Sequence, residues 1–368
     1  MKLVDLLLYS EETLYTKEAL LKAHASNLGY FVFLDRSIEC TVVQHAGFKE
    51  EFKQGTTTFR IFKSKNHRWK LYTALFFKIR KEQPDVILIH SFIYAWQILI
   101  LRLIVGKRVR LIVQNHAEKP FKGMKQQLQK LADCYISAYL FVSHKQTEPW
   151  LNKKIISSEQ KIYEVMEGST SFTLNDKHQA KMTISEPGTV LFLWVGRLDQ
   201  NKDPLTVLKA FKSYWEDGHN AKLIMIYNSY ELLKEVEEFI TVNNLSDRIL
   251  LKGSTEHSEL EVYYNAADYF ILGSHDEGSG YALCEAMACG CVPVVTTIPS
   301  FMNMLNNGQC GYVFEPGNVK SLYSTLCAID PQQLQLYRKR VLNKFSEDLS
   351  HEAIGKKISA IVKKLSQK

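Results

Sequence analysis

Two glutamates, Glu277 and Glu285, stand eight residues apart in the segment GSHDEGSGYALCEAMACGCVP, residues 273–293. An apolar run, Tyr269–Leu272, leads into a Gly/Ser loop, and a helical pattern starts near Gly280 and runs to about Cys289. A loop that feeds a helix start turns backbone N–H groups and the positive end of the helix dipole towards an anion. At 1.5 Å of rise per residue the two carboxylates are at most roughly 12 Å apart along the axis. One can then hold the hydroxyls of a sugar and the other those of a ribose, with a diphosphate between them. Glu285 lies inside YALCEAMAC, and a glutamate amid apolar residues needs a partner. A second candidate lies in LWVGRLDQNKDPLTVLKAF, residues 193–211. Here a strand ends at Val195, Gly196 and Arg197 follow, and Lys202 precedes Asp203-Pro204, with Pro204 suited to the first turn of a helix. Arg197 as a planar fork and Lys202 as a point charge can converge on one diphosphate, or be two surface cations.

These residues need strands and helices to hold them. Short apolar runs alternate with helical patterns along the whole chain. In the front half the expected strands are 3–8, 30–34, 40–44, 58–62, 85–90, 110–114, 139–142 and 162–165. In the back half they are 190–195, 222–227, 249–252, 269–272, 292–295 and 312–314. Apolar strands alternating with helices predict parallel sheets covered on both faces. Two such sets predict two doubly wound α/β domains, residues 1–168 and 189–345. The polar stretch 169–188, with Pro187-Gly188, is expected to link them. Residues 346–368 form a last helix, expected to pack back on the first domain.

The chain has 368 residues, 46% hydrophobic and 23% charged, which excludes disordered and fibrous classes. Residues 1–170 hold 26 Lys/Arg against 16 Asp/Glu, while the remainder is slightly acidic and the whole carries +7. The basic half fits either a solvated surface or an anionic partner such as a membrane. The helical stretch 66–82, with Trp69, Tyr72, Phe76 and Ile79 on one face, divides the same way, into a core-facing helix or a membrane-surface patch. Seven cysteines without a C-x-x-C pair read as reduced thiols, as in the cytoplasm. MKLVDLLLYS reads as a first strand, not a leader. The most apolar stretch, 86–105, is broken by His90, Gln97 and Arg102, and reads as a buried strand and an apolar helix.

The ordered set of segments resembles the family 4 glycosyltransferases, retaining enzymes of the GT-B fold. It comprises GR…K at Arg197 and Lys202, ILLKG (249–253), EVYYNAAD (261–268), the E-x7-E pair Glu277/Glu285, and CGYVFEPGN (310–318). The likeness is close over 189–318 and looser through PDVILIHS (84–91), LIVQNHAEKP (111–120) and FVSHKQTEPWL (141–151).

The resemblance implies two Rossmann-like domains facing across a cleft that closes on substrate. It implies a nucleoside-diphosphate sugar as donor, with UDP favoured over GDP, and a glycan or lipid-linked acceptor. Arg197 and Lys202 would neutralise the leaving diphosphate beside Gly196. Glu285 would bind the ribose and Glu277 the transferred sugar. The backbone of Gly278, Ser279, Gly280, Tyr281, Ala282 and Leu283 would cradle sugar and phosphates. Gly253 and Ser254 would line the base pocket. His116 would lie near the reacting sugar, with His90 a weaker candidate. The sequence departs from the family's pattern after the first strand, where YSEETLYTKEA (9–19) holds no glycine.

No D-x-D occurs, so no metal or other cofactor is expected. Leu283 occupies the third glycine position of a dinucleotide fingerprint, and no P-loop pattern exists. No nucleic-acid module is visible. The remaining alternatives are a GT-B nucleotide-sugar epimerase and a non-catalytic nucleotide-sugar-binding partner of another transferase. A place in the cytoplasm, at the inner face of the membrane, fits the basic front half.

Overall fold

A computed structural model of the chain describes residues 1–64 and 68–367, without the side chains of residues 68–71. It divides into two compact units, Met1–Ser171 with Ser350–Lys368, and Phe172–Leu349.

In the first unit the strands are β1 (Lys2–Glu11), β2 (Glu39–Ala46), β3 (Glu50–Gln54), β4 (Thr57–Lys63), β5 (Val86–His90), β6 (Arg110–Gln114), β7 (Ala138–Phe141) and β8 (Ile162–Glu164). Their order is β3-β4-β2-β1-β5-β6-β7-β8. Every neighbouring pair is parallel except β3 with β4. The central strands are mainly apolar, and Leu6, Val43, Ile87, Ile89, Leu111 and Val113 share one core. This is the pattern of a sheet buried on both faces.

Two parts of the first unit depart from the sequence expectation. Residues 30–34 are not a strand: 30–33 fall in a 3-10 helix, Gly29–Phe33, and Leu34 is its C-cap. A short apolar run does not distinguish strand from buried helix by periodicity, and here tertiary packing decides. Gly355, in the last helix His351–Ser366, sits so close that a Cβ there would lie 2.8 Å from the Tyr30 carbonyl oxygen. The polar edge strand β3 was not anticipated. A two-residue turn with Gly55 at φ 58° joins it to β4, and Phe52 stacks on Phe59 at 4.9 Å. Its alternation is too polar to read as a strand without its partner.

The apolar stretch after β5 is a helix, Ala95–Val105. Arg102 turns its guanidinium back to the carbonyls of Gly106, Val109 and Tyr135 at 2.6–2.8 Å, which accounts for a buried cation there. Among the described residues no helix is long and apolar enough to cross a membrane. Of the basic stretch 66–82, the helix Arg68–Lys81 is seen. Phe76 and Ile79 are buried on it and Tyr72 is half-buried, while Asn66 and the Trp69 side chain lie outside the described residues.

The second unit holds β9 (Val190–Gly196), β10 (Ala221–Tyr227), β11 (Ile249–Gly253), β12 (Tyr269–Leu272), β13 (Val292–Thr296) and β14 (Tyr312–Phe314). They form one parallel sheet in the order β11-β10-β9-β12-β13-β14. The order reverses at β9 and β12, the switch point at whose carboxyl ends open α/β sheets bind ligands. Residues 172–188, expected within a linker, are part of this unit's structure. They contain a helix, Lys177–Thr183, whose Lys177 and Lys181 reach Asp268 at 2.5 and 2.8 Å. Asp268 also accepts from the Leu191 amide at 3.0 Å. These polar residues were legible only as loop formers, because the carboxylate they serve is far away in sequence.

Candidate active site

Both candidate segments of the second unit emerge at the switch point. Gly196 is the last residue of β9, and the loop 197–203 runs from it to the helix Pro204–Glu216, whose N-cap is Asp203. The loop 273–280 runs from β12 to the helix Tyr281–Ala288. Gly273 allows the two loops to touch, since a Cβ there would lie 2.9 Å from the Asp203 carbonyl oxygen. Asn201 then staples them. Its amide donates to the Asp276 carbonyl at 2.9 Å, its side-chain oxygen accepts from the Asp276 amide at 3.0 Å, and its backbone carbonyl accepts from the His275 amide at 2.8 Å. Asp203, in the left-handed region at φ 43°, caps the Thr206 amide and accepts from His275 at 3.1 Å. Sequence reasoning named none of Asn201, Asp203, Gly273 and His275 as site residues. The run N-K-D before Pro204 was a turn signal, but its partners lie 72 and 75 residues on.

On this frame Lys202 Nζ is bonded to Glu277 Oε1, and Ser274 Oγ donates to the same oxygen at 2.7 Å. Arg197 is 60% exposed and held by Asp199 at 3.1 Å, and Asp199 also caps the Lys202 amide at 2.9 Å. Gly280, the N-cap of the following helix, has φ 64° and provides no side-chain cap. A Cβ on it would lie 2.7 Å from the Phe301 ring, so the approach needs glycine. Gly278 and Ser279 precede it in the loop, and Tyr281, Ala282 and Leu283 form the first turn of the helix.

Glu285 lies on the same helix. Its carboxylate accepts from His257 Nε2 at 2.7 Å and from the Tyr264 hydroxyl at 3.0 Å, both on the helix His257–Ala266. The Glu285 hydrogen bond raises the His257 pKa against the opposing effect of burial. Burial and the Glu285 charge push Tyr264 up in turn, keeping its hydroxyl a donor. Phe172 stacks on the His257 ring at 4.8 Å. The sequence predicted a partner for Glu285 without identifying one. Gly253, at φ 69°, ends β11, and Ser254 follows it, exposed.

In the first unit His116 follows β6, and His90 ends β5. The two rings meet through His90 Nδ1 and His116 Nε2 at 3.0 Å. His90 Nε2 faces Asp5 Oδ1 at 2.9 Å, and the Tyr30 hydroxyl donates to Asp5 Oδ2 at 2.8 Å. On the other side His116 Nδ1 lies 2.5 Å from Glu167 Oε2. Burial opposes a charge on His116, but the Glu167 hydrogen bond and the charges of Glu167, Glu118 and Asp5 outweigh it and raise its pKa. Asp5, Tyr30 and Glu167 were not anticipated. Asp5 interrupts an apolar strand, a sign that it has a buried partner. The strand β1 runs on to Glu11, and no glycine follows it. Gly47, after β2, allows the close approach instead, since a Cβ there would lie 2.7 Å from the Glu12 carbonyl oxygen. Among the described residues, no group of three or more His, Cys, Asp or Glu is placed to hold a metal ion.

Residues 176–327 match the family model described as Glycosyl transferases group 1. The chain is similar to the capsular polysaccharide biosynthesis glycosyltransferase CapM of Staphylococcus aureus, 29% identical over 181 residues, 46% of each chain. It is similar to the GDP-mannose:cellobiosyl-diphosphopolyprenol alpha-mannosyltransferase of Xanthomonas oryzae, 25% identical over 136 residues, 37% of this chain and 36% of that one. It thus spans less than half the length of these relatives. Among solved structures, Anabaena HepE in complex with UDP superposes with a TM-score of 0.74 at 15% identity, over 99% of this chain and 100% of that one. The chain therefore has the GT-B fold of two parallel-sheet Rossmann-like units, and most of the second unit carries the Glycosyl transferases group 1 match.

Proposed function

We propose that the chain transfers a sugar from a UDP-sugar to a glycan or lipid-linked acceptor in polysaccharide assembly, with retention and without a metal. The carrying observation is the pair of stapled loops at the switch point, with Lys202 and Glu277 bonded together beside a helix start. In this reading Arg197, Lys202 and the first-turn amides receive the charge that develops on the departing diphosphate. Donors fixed in advance contribute roughly 3–4 kcal/mol each to such a transition state. Glu285 takes the ribose, Glu277 the sugar, and Gly253 and Ser254 the base. The family resemblance assigns His116 to the reacting sugar. Retention enters through the family 4 resemblance. The UDP held by HepE supports UDP, and the Xanthomonas relative names GDP-mannose as the alternative. Work at an anionic membrane surface fits the excess of Lys and Arg in residues 1–170.

The test is turnover with a panel of UDP- and GDP-sugars and polyprenyl-diphosphate-linked glycans. Nucleoside diphosphate is expected to be released only with acceptor present, undiminished by EDTA, with the donor's anomeric configuration kept in the product. Absence of acceptor-dependent release from every donor, a need for metal, or inversion contradicts the corresponding part of the proposal.

A further inference from the structure

The first unit contains four hydrogen-bonded groups, Tyr30–Asp5–His90–His116, and a close His116–Glu167 ion-pair contact extends them to the carboxyl edge of the sheet. Its inner members are closed off, with Asp5 1% and His90 6% exposed. Its outer members, His116 and Glu167, are 25% and 10% exposed.

The partners of the four ring nitrogens indicate how many protons the two rings carry. Asp5 receives a donor at each oxygen, Tyr30 at one and His90 at the other. Burial, followed by the Asp5 charge, holds the Tyr30 hydroxyl protonated, so it is a donor. His90 Nε2 therefore carries a hydrogen. His116 Nδ1 faces a carboxylate and carries one too. The contact between the rings holds one hydrogen, since two would clash and none would set two lone pairs together. Three N–H groups on four ring nitrogens make one neutral imidazole and one imidazolium.

A second, independent feature marks the same place. The residue after each histidine has positive φ without being glycine, Ser91 at φ 83° and Ala117 at φ 62°. Such backbone costs of order 1–3 kcal/mol per residue and persists where surrounding structure enforces it. The backbone is thus in the positive-φ region directly after each ring.

We propose that Asp5 is a positioning residue acting through His90: it makes His90 Nε2 a donor and leaves His90 Nδ1 to accept from His116, so that the pair holds a single extra proton, carried by His116 against Glu167. Other titratable groups around the pair are His24, close to His90, Glu118, which accepts from the His116 amide at 3.2 Å, and Tyr9 and Glu11 on β1. Both ring nitrogens of His116 are engaged, so it meets a ligand as part of a held pair rather than as a free base. Only the kinetic consequence rests on the transferase reading. There, turnover falls on the alkaline side as the pair gives up its proton.

The test is ring nitrogen NMR of the full chain labelled with 15N-histidine, followed against pH, with signals assigned through H90Q and H116Q. At neutral pH His116 is expected to show the doubly protonated pattern and His90 the neutral Nε2–H pattern. D5N, which keeps an acceptor but removes the charge, should lower the pH midpoint of the pair by about one unit or more. E167Q should do the same from the other end, and remains informative if D5N does not fold. The alkaline limb of kcat should move with the midpoint, while the donor KM changes less than about twofold. A neutral His116 at pH 7 in the unaltered chain, or a midpoint that neither variant moves, overturns the proposal. The expected ring patterns without any sugar transfer would remove the transferase reading and leave the proton assignment standing.

Discussion

Lys202 and Glu277 are bonded to each other across 75 residues of sequence, with side chains only 14% and 13% exposed. The cation proposed for the diphosphate and the carboxylate proposed for the sugar thus neutralise one another. A donor that takes Lys202 also loosens Glu277, so the two ends of the site are coupled. Removing one member leaves the other charge buried, at about 3 kcal/mol. We predict that K202M and E277Q each lower thermal stability, and that the double variant loses less than the sum of the two. Additive losses in a double-mutant cycle would show the contact to be energetically idle.

Glu285 is held by His257 and Tyr264, and in the proposed function a ribose shares it. E285A is expected to weaken nucleotide affinity by more than about tenfold, while H257Q, which spares the carboxylate, changes it less. His257 also gives a pH signature. Its pKa is raised in the folded state by Glu285. The stability it contributes is full below the unfolded value of 6.5 and is lost as pH rises through the folded pKa. H257Q should remove that slope in denaturant titrations, and an unchanged slope would place its origin elsewhere.

Acid sensitivity should come from the first unit. Burial holds His45 down to about 4, with the Lys78 charge adding to it, and burial alone holds His351 to about 4. An unfolded histidine protonates near 6.5, so stability is complete above that value and declines as pH falls towards 4. Each ring accounts for at most roughly 3 kcal/mol of the loss. H45F should flatten part of this decline in unfolding curves measured between pH 7 and pH 4. An identical decline would exonerate His45.

Much of this was legible in the sequence and some was not, for reasons that differ residue by residue. The alternation of apolar strands with helices predicted two doubly wound units, and Tyr269–Leu272 and Tyr312–Phe314 fall where expected because nothing competes with their local pattern. Residues 30–34 failed because the last helix, more than 300 residues on, decides their shape. The site segments were marked by glycine and charge at a strand-to-helix turn. Their supports, namely Asn201 for the loops, Tyr264 and His257 for Glu285, and Asp5 for His90, are ordinary residues in sequence and gain a role only through distant contacts.

Gly280 tests the loop's shape without altering charge. With φ 64° and the Phe301 ring 2.7 Å from any added Cβ, G280A must shift either the loop or the ring. We expect a loss of about 1–3 kcal/mol, with weaker nucleotide binding in the variant that still folds. Stability and binding equal to those of the unaltered chain would mean that the turn is not constrained as described.

The most direct measurement is the thermal stabilisation of the full chain by UDP, GDP and ADP, repeated on E285A and R197A. UDP at a hundred times its dissociation constant should add about 2.7 kcal/mol to the unaltered chain, and both variants should lose this gain while remaining folded. Normal nucleotide affinity in both variants, or no stabilisation by any of the three nucleotides, would contradict a donor site built from Arg197, Lys202, Glu277 and Glu285.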